Sequence, residues 1–333
     1  MKKGWGFFLR LSVSVLALAG LVYALRGKFD EAFLIMKESF QWEWFLVAIV
    51  AYFAAVAFIS WRLQLIFRVQ GVKVSFLQTL YLSLVGLFFN LFFPSALGGD
   101  VAKGYFAYQY SGKKLGALTG VVLDRFIGFG TVVVIALGAF TVLSQRFATS
   151  LERRSLYGAL GILVFGMIFF SSHRFAQKFQ FLSFLIPSAK WRQNLSDLYH
   201  AIRHFRNHKK ILMTSLALSF AGQFLYILDI FFLARSLGIG VPIGPVFVLT
   251  PLVGFASMAP SLSGLGVREA GFVFFFKSIM PTEKAFALSL IYDLLFYGFS
   301  ILAGLIFAFK GGLRKEMIRD FGKVDQLREV GHD

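Results

Sequence analysis

The chain contains no cysteine in its 333 residues. Disulfides, thiolate nucleophiles and Cys-based metal sites are therefore excluded. Charge is also scarce. Charged residues make up 15% of the sequence, against about a quarter in an ordinary soluble domain. Acids are rarer than bases: 17 Asp and Glu face 34 Lys and Arg, a formal net charge of +17. There is no Walker A sequence, no His-Glu-x-x-His and no Gly-x-Ser-x-Gly elbow. No polar stretch is long enough for an ATPase or transferase domain. Neither enzymatic activity nor a bound cofactor is expected. Any energy used must come from ion gradients, membrane potential or lipid mass action.

What is abundant is apolar. Hydrophobic residues reach 57% and mean hydropathy is +0.71. Apolar runs long enough to cross a hydrocarbon core of about 30 Å recur along the chain. The first, Trp5–Leu25, follows Met1-Lys2-Lys3 and resembles a secretory leader, with Ala17-Leu18-Ala19 as a cleavage pattern. Its length favours a retained span. The second is about Trp44–Leu65, with Trp42 and Trp44 as interfacial anchors and a basic loop of Arg62, Arg68 and Lys73 after it. Strong spans follow at Leu115–Leu143, Ile211–Leu233 and Ala285–Phe309, with a shorter one at Leu156–Ser171. The segment Ser172–Lys210 carries eight bases against the single acid Asp197 and reads as cytoplasmic and partly amphipathic.

Two apolar stretches behave differently. Phe76–Phe93 runs into Pro94-Ser95-Ala96-Leu97-Gly98-Gly99-Asp100, and Val101–Tyr110 returns. If the chain turns back at Pro94–Gly99, then Lys103, Lys113 and Lys114 stay inside, as the positive-inside rule requires. Pro245–Ala259 likewise runs into Pro260-Ser261-Leu262-Ser263-Gly264-Leu265-Gly266 before Arg268, Glu269 and an apolar return to Lys277. The expected fold is all-α: a polytopic transmembrane protein with about six full spans and two re-entrant helical hairpins. Residues 1–310 form the membrane domain, and 311–333 form a cytoplasmic tail. Both termini are expected in the cytoplasm, at the inner (cytoplasmic) membrane.

The two halves, about 1–145 and 150–310, look like a repeat. Pro94-Ser95 and Pro260-Ser261 are 166 residues apart. That offset lays Trp44–Leu65 on Ile211–Leu233 and Leu115–Leu143 on Ala285–Phe309. Asp124 and Asp293 then nearly coincide, each followed by a glycine, Gly128 or Gly298. An odd number of crossings per half makes the second half inverted. Inverted repeats with broken helices place their site near the bilayer midplane.

Irregular backbone at membrane depth persists only where protein or a water-filled cavity satisfies it. Ionisable residues within apolar spans are costly and usually functional. The candidate substrate-binding set is therefore Ser95, Gly98, Gly99, Asp100, Asp124, Arg125, Ser261, Gly264, Gly266, Arg268, Glu269 and Asp293. Arg125 and Arg268 suit bidentate contact with a phosphate, and glycines allow close backbone approach. Internal pairing of these acids and bases into structural ion pairs is the competing reading. Asp229 is a further acid within a span. His200, His204 and His208 share a helical face, but Arg203, Arg206, Lys209 and Lys210 around them repel a metal, and none is expected. The basic residues sit in loops and should attract anionic lipid head groups; no nucleic-acid partner is expected.

At these motifs the chain resembles the lysylphosphatidylglycerol synthase transmembrane-region family, the flippase-like or UPF0104 membrane proteins. The matching pieces are Pro94-Ser95-Ala96-Leu97-Gly98-Gly99-Asp100-Val101, Leu123-Asp124-Arg125-Phe126 and Gly264-Leu265-Gly266-Val267-Arg268-Glu269-Ala270. The resemblance implies an inner-membrane protein that translocates a phospholipid or polyprenyl-phosphate lipid. It brings no expectation of lipid aminoacylation, because the soluble transferase domain of the bifunctional relatives has no counterpart here. Two alternatives remain open. One is a membrane enzyme acting on polyprenyl-phosphate substrates. The other is a non-transporting partner of a separately encoded transferase.

Overall fold

The computed structural model describes residues 29–92, 98–143, 157, 158, 161, 208–258, 261 and 264–309. Outside them fall the expected first span, the loop at 144–155, nearly all of the span at 156–171, most of the basic segment with His200 and His204, and the tail. So do Ser95 and the rest of the 93–97 turn, and Pro260.

The described residues are helical: α1 Phe29–Glu38, α2 Trp42–Val69, α3 Phe76–Phe92, α4 Gly98–Ser111, α5 Lys114–Leu143, α6 Lys209–Ser236, α7 Ile243–Ala256, α8 Val267–Phe276 and α9 Thr282–Phe309. At 1.5 Å per residue, the 28 to 30 residues of α2, α5, α6 and α9 extend about 42–45 Å, enough to cross a bilayer with tilt. These are four helices long and apolar enough to span. Leu46, Val50 and Phe53 on α2 and Ile301, Leu302 and Leu305 on α9 point outward, as lipid-facing residues should. The chain is a polytopic helical membrane protein.

The shorter helices form two packed hairpins, α3 with α4 and α7 with α8. With 17, 14, 14 and 10 residues, each extends at most about 26 Å and falls short of the hydrocarbon core. A capping box starts α3: Ser75 N–H donates to Gln78 Oε1 at 2.7 Å, and Gln78 N–H donates to Ser75 Oγ at 3.2 Å. An α3 side chain then caps α4, because Gly99 N–H donates to Asn90 Oδ1 at 2.6 Å. Gly99 must lack a side chain: a Cβ there would lie 2.3 Å from the Gly86 carbonyl oxygen. In the second hairpin, Gly264 and Gly266 hold φ of +82° and +80° and feed directly into α8. That backbone region strongly favours glycine.

α2 and α6 form the most extensive helix contact among the described residues. They run antiparallel. Gln41 N–H donates to Ser236 O at 2.7 Å at one end, and Arg62 reaches Ser219 towards the other. Small residues allow this close approach; Gly222 sits against Ile59 and the Ala55 carbonyl. Several other contacts have a counterpart in the other half. α3 packs on α9 as α7 packs on α5, and α4 packs on α5 as α8 packs on α9. Antiparallel equivalent helices with reciprocal contacts are the arrangement that inverted halves require.

Candidate functional site

The sequence-predicted residues separate into two buried charge clusters, one at each hairpin. In the first, Asp100 near the start of α4 pairs with Arg125 of α5. Lys103 Nζ, one turn along α4, lies 3.4 Å from the same carboxylate. Asp124 faces the other way and accepts from Arg62 Nε of α2 at 2.7 Å. Arg62 Nη1 donates to Ser219 Oγ of α6 at 2.6 Å. Asp124 and Arg125 stand ten and eleven residues into the 30-residue α5, about 15–17 Å from its start.

Arg62 corrects the sequence reading, which places it in a basic loop after the second span. It lies inside α2 and is 3% exposed. The helix continues because Leu63, Ile66 and Phe67 keep burying apolar surface beyond it. The guanidinium is tolerated because Asp124 and Ser219 satisfy it, and because Gly128 leaves room; a Cβ there would stand 3.3 Å from Nη1 and Nη2. Lys103 also leaves the set of loop bases, as a part-buried residue of α4.

The second cluster surrounds Arg268, at the second position of α8. Its Nη2 pairs with Asp293 Oδ1 of α9 at 2.5 Å and stands 3.6 Å from Glu269 Oε1. Nη2 also donates to the Tyr297 hydroxyl at 3.0 Å. The guanidinium carbon sits 4.9 to 5.4 Å from the ring centres of Tyr292, Phe296 and Tyr297, close enough for cation–π attraction. Asp293 stands eleven residues into α9, matching the depth of Asp124 in α5.

The aromatic residues are a part of the site that sequence reasoning missed. Tyr226 of α6 and Tyr292 of α9 share a hydrogen bond between their hydroxyls, and the Tyr52 ring of α2 packs 6.3 Å from Tyr226. Tyr292 could have been suspected from its place beside Asp293. Nothing local marks Tyr226 or Tyr52, which are two among 54 Phe and Tyr residues.

A cavity of about 160 Å³ lies between α5, α6 and α7. Its polar wall is Arg125, Gln223, Tyr226 and Thr250. Thr250 Oγ1 is buried with no hydrogen-bond partner among the described residues. The apolar wall includes Phe129, Phe255 and Met258. Of the twelve candidates, only Arg125 lines this cavity. Gly98 and Gly99 are buried at the α3–α4 contact, and Gly264 and Gly266 shape the entry to α8. Ser261 is buried beside that turn, and Ser95 lies outside the described residues. Among the described residues, no group of three His, Cys, Asp or Glu is placed to hold a metal ion.

Crossing helices, paired short hairpins and charge buried between helices define a class of integral membrane protein with a buried polar centre. The chain belongs to the family described as lysylphosphatidylglycerol synthase TM region, which matches residues 7–304. It is similar to a UPF0104 membrane protein of Methanocaldococcus jannaschii, 25% identical over 286 residues, covering 79% of this chain and 83% of that one. It is also similar to a UPF0104 membrane protein of Methanothermobacter thermautotrophicus, 23% identical over 302 residues, covering 83% and 87%. No solved structure gives a significant match.

Proposed function

We propose that this protein translocates a phosphate-bearing or anionic lipid across the cytoplasmic membrane, with the head group taken in beside Arg125 while the tails remain in the bilayer. The observation that carries this reading is the cavity against Arg125. It combines a part-exposed guanidinium, the unpartnered Thr250 hydroxyl and apolar rings. The surrounding charge also suits an anion, since the ion pairs among the described residues there join three bases, Arg62, Lys103 and Arg125, to two acids, Asp100 and Asp124. At about 160 Å³ the space is too small for a whole lipid. Cavities of about 150 Å³ hold one benzene-sized guest, which fits a phosphate group or the head of a chain. An arriving phosphate would take Arg125 from Asp100 and accept from Thr250, Gln223 and Tyr226. The family's name, which refers to a lipid synthase, points to the same class of substrate.

The test is reconstitution into phosphatidylcholine vesicles containing trace fluorescent phosphatidylglycerol or a polyprenyl phosphate, with lipid exposure in the outer leaflet read by chemical quenching. Wild-type protein should move the anionic probe, and Arg125→Gln should slow it by about 10-fold or more, the loss expected for one charge-assisted contact of about 1.5–3 kcal/mol. Thr250→Val should slow it less. A wild-type chain that moves neither probe, or an Arg125→Gln variant as fast as wild type, would remove the proposal.

A further inference from the structure

The second cluster holds more acid than its cation can neutralise. Among the described residues, Arg268 is the base paired with Asp293 and Glu269. Neither Glu269 oxygen has a hydrogen-bond partner among the described residues, and the residue is 4% exposed. Asp229 of α6 is 0% exposed, and neither of its oxygens has a partner either. A bare carboxylate so placed costs several kcal/mol or more, whereas a neutral acid costs far less. For Asp229, which has no cation beside it among the described residues, the geometry leaves one economical solution: its carboxyl carries a proton.

The same groups connect to the cavity. Tyr226 forms part of the cavity wall. Its hydroxyl bonds to that of Tyr292, whose ring lies against Arg268. Asp229 sits one turn beyond Tyr226 on α6, near enough to Tyr52 and Tyr226 to act on them electrostatically. The groups facing the acids are therefore Tyr52 from α2, Tyr226 from α6, Arg268 from α8, and Tyr292 and Tyr297 from α9. α7 has no ionisable side chain, α3 offers only Tyr81, and the acids and lysine of α1 are exposed. From α5, Arg125 shares the cavity wall with Tyr226. The absence of a three-ligand acidic group among the described residues favours a proton over a metal cation, because a proton needs only one carboxylate oxygen.

We propose that Asp229 is a proton-binding site that couples lipid movement to a proton gradient. This rests on the translocation reading and supplies its driving ion. A carboxylate that binds a proton on one side of the membrane becomes neutral and tolerates burial. When it releases the proton, the restored charge favours the conformation that hydrates it. The Tyr226–Tyr292 contact ties that change to the cavity wall where the head group sits.

Two measurements test it on the full chain. Difference infrared spectroscopy of the purified protein at neutral pH should show the carbonyl band of a neutral carboxylic acid, reduced in Asp229→Asn. In phosphatidylcholine vesicles with trace fluorescent phosphatidylglycerol, an imposed pH difference should shift the probe's equilibrium leaflet ratio by up to about tenfold per pH unit for one coupled proton. Asp229→Asn should lose that response. The amide has nearly the shape of the neutral acid, and monodispersity on size exclusion checks its folding. If the variant does not fold, the wild-type spectrum and gradient response decide. No neutral-acid band, or a retained gradient response in folded Asp229→Asn, overturns the site. Wild-type movement with a leaflet ratio indifferent to pH overturns coupling and leaves translocation standing. No movement under any condition overturns translocation, and coupling falls with it.

Discussion

Arg62 and Asp229 stand at the same step of two equivalent helices. Each is seven residues before the end of a 28-residue helix, α2 or α6. Arg62 has two partners, Asp124 and Ser219, and Asp229 has none among the described residues. Among the described residues, the first buried cluster therefore carries surplus positive charge beside a cavity, and the second, with Asp229, carries surplus carboxylate beside a row of tyrosines. If the halves are a repeat, as the 166-residue offset suggests, a shared scaffold would fix where polar groups enter the bilayer. The sign of charge at each entry point is then free to differ, and that difference separates an anion-receiving side from an acid-rich one.

The largest effect is expected from orientation. Because the chain has no native cysteine, single cysteines report directly. In inverted halves, Gly112→Cys should label only from the cytoplasm and Lys277→Cys only from outside. Labelling of both from one side would dissolve the equivalence of the hairpins. Next, Arg62→Ala should destabilise the protein by about 3–5 kcal/mol, because it strands the buried Asp124 carboxylate. Thermal unfolding in detergent would read this, and Arg62→Met with Asp124→Leu should recover most of the loss. Gly99→Ala should cost about 1–3 kcal/mol, since its Cβ would meet the Gly86 carbonyl oxygen at 2.3 Å. The smallest effect belongs to Asp229→Asn, expected within about 1 kcal/mol of wild type because it removes no ion pair. A loss as large as that of Arg62→Ala would mean that Asp229 has a charged partner after all, and would erase the contrast.

Much of this was legible in the sequence. Long apolar runs with few charges have one stable solution in lipid, so α2, α5, α6 and α9 follow from composition. The hairpins were legible because Pro and Gly break apolar stretches too short to cross. Asp124, Arg125, Arg268, Glu269 and Asp293 stood out because charge within an apolar run is expensive. The partner of each charge was not legible. Asp124 and Arg125 are neighbours in sequence yet pair with different helices, Asp124 with α2 and Arg125 with α4, because successive helical residues point about 100° apart. Arg62 was misplaced for a related reason: near the end of an apolar run, hydropathy does not say whether a base has left the helix or found an acid inside it.

The sequence alone determined that the chain is a bundle of apolar helices with two interruptions and a few charges within apolar runs. Hydropathy and chain-breaking residues act locally, and every backbone group in lipid must be satisfied within its own helix. Only the tertiary structure decided which charges neutralise one another, that Arg125 faces a cavity, and that the Asp229 carboxylate has no hydrogen-bond partner among the described residues. Those outcomes depend on distances between side chains as much as 157 residues apart, set by which helix faces close on each other.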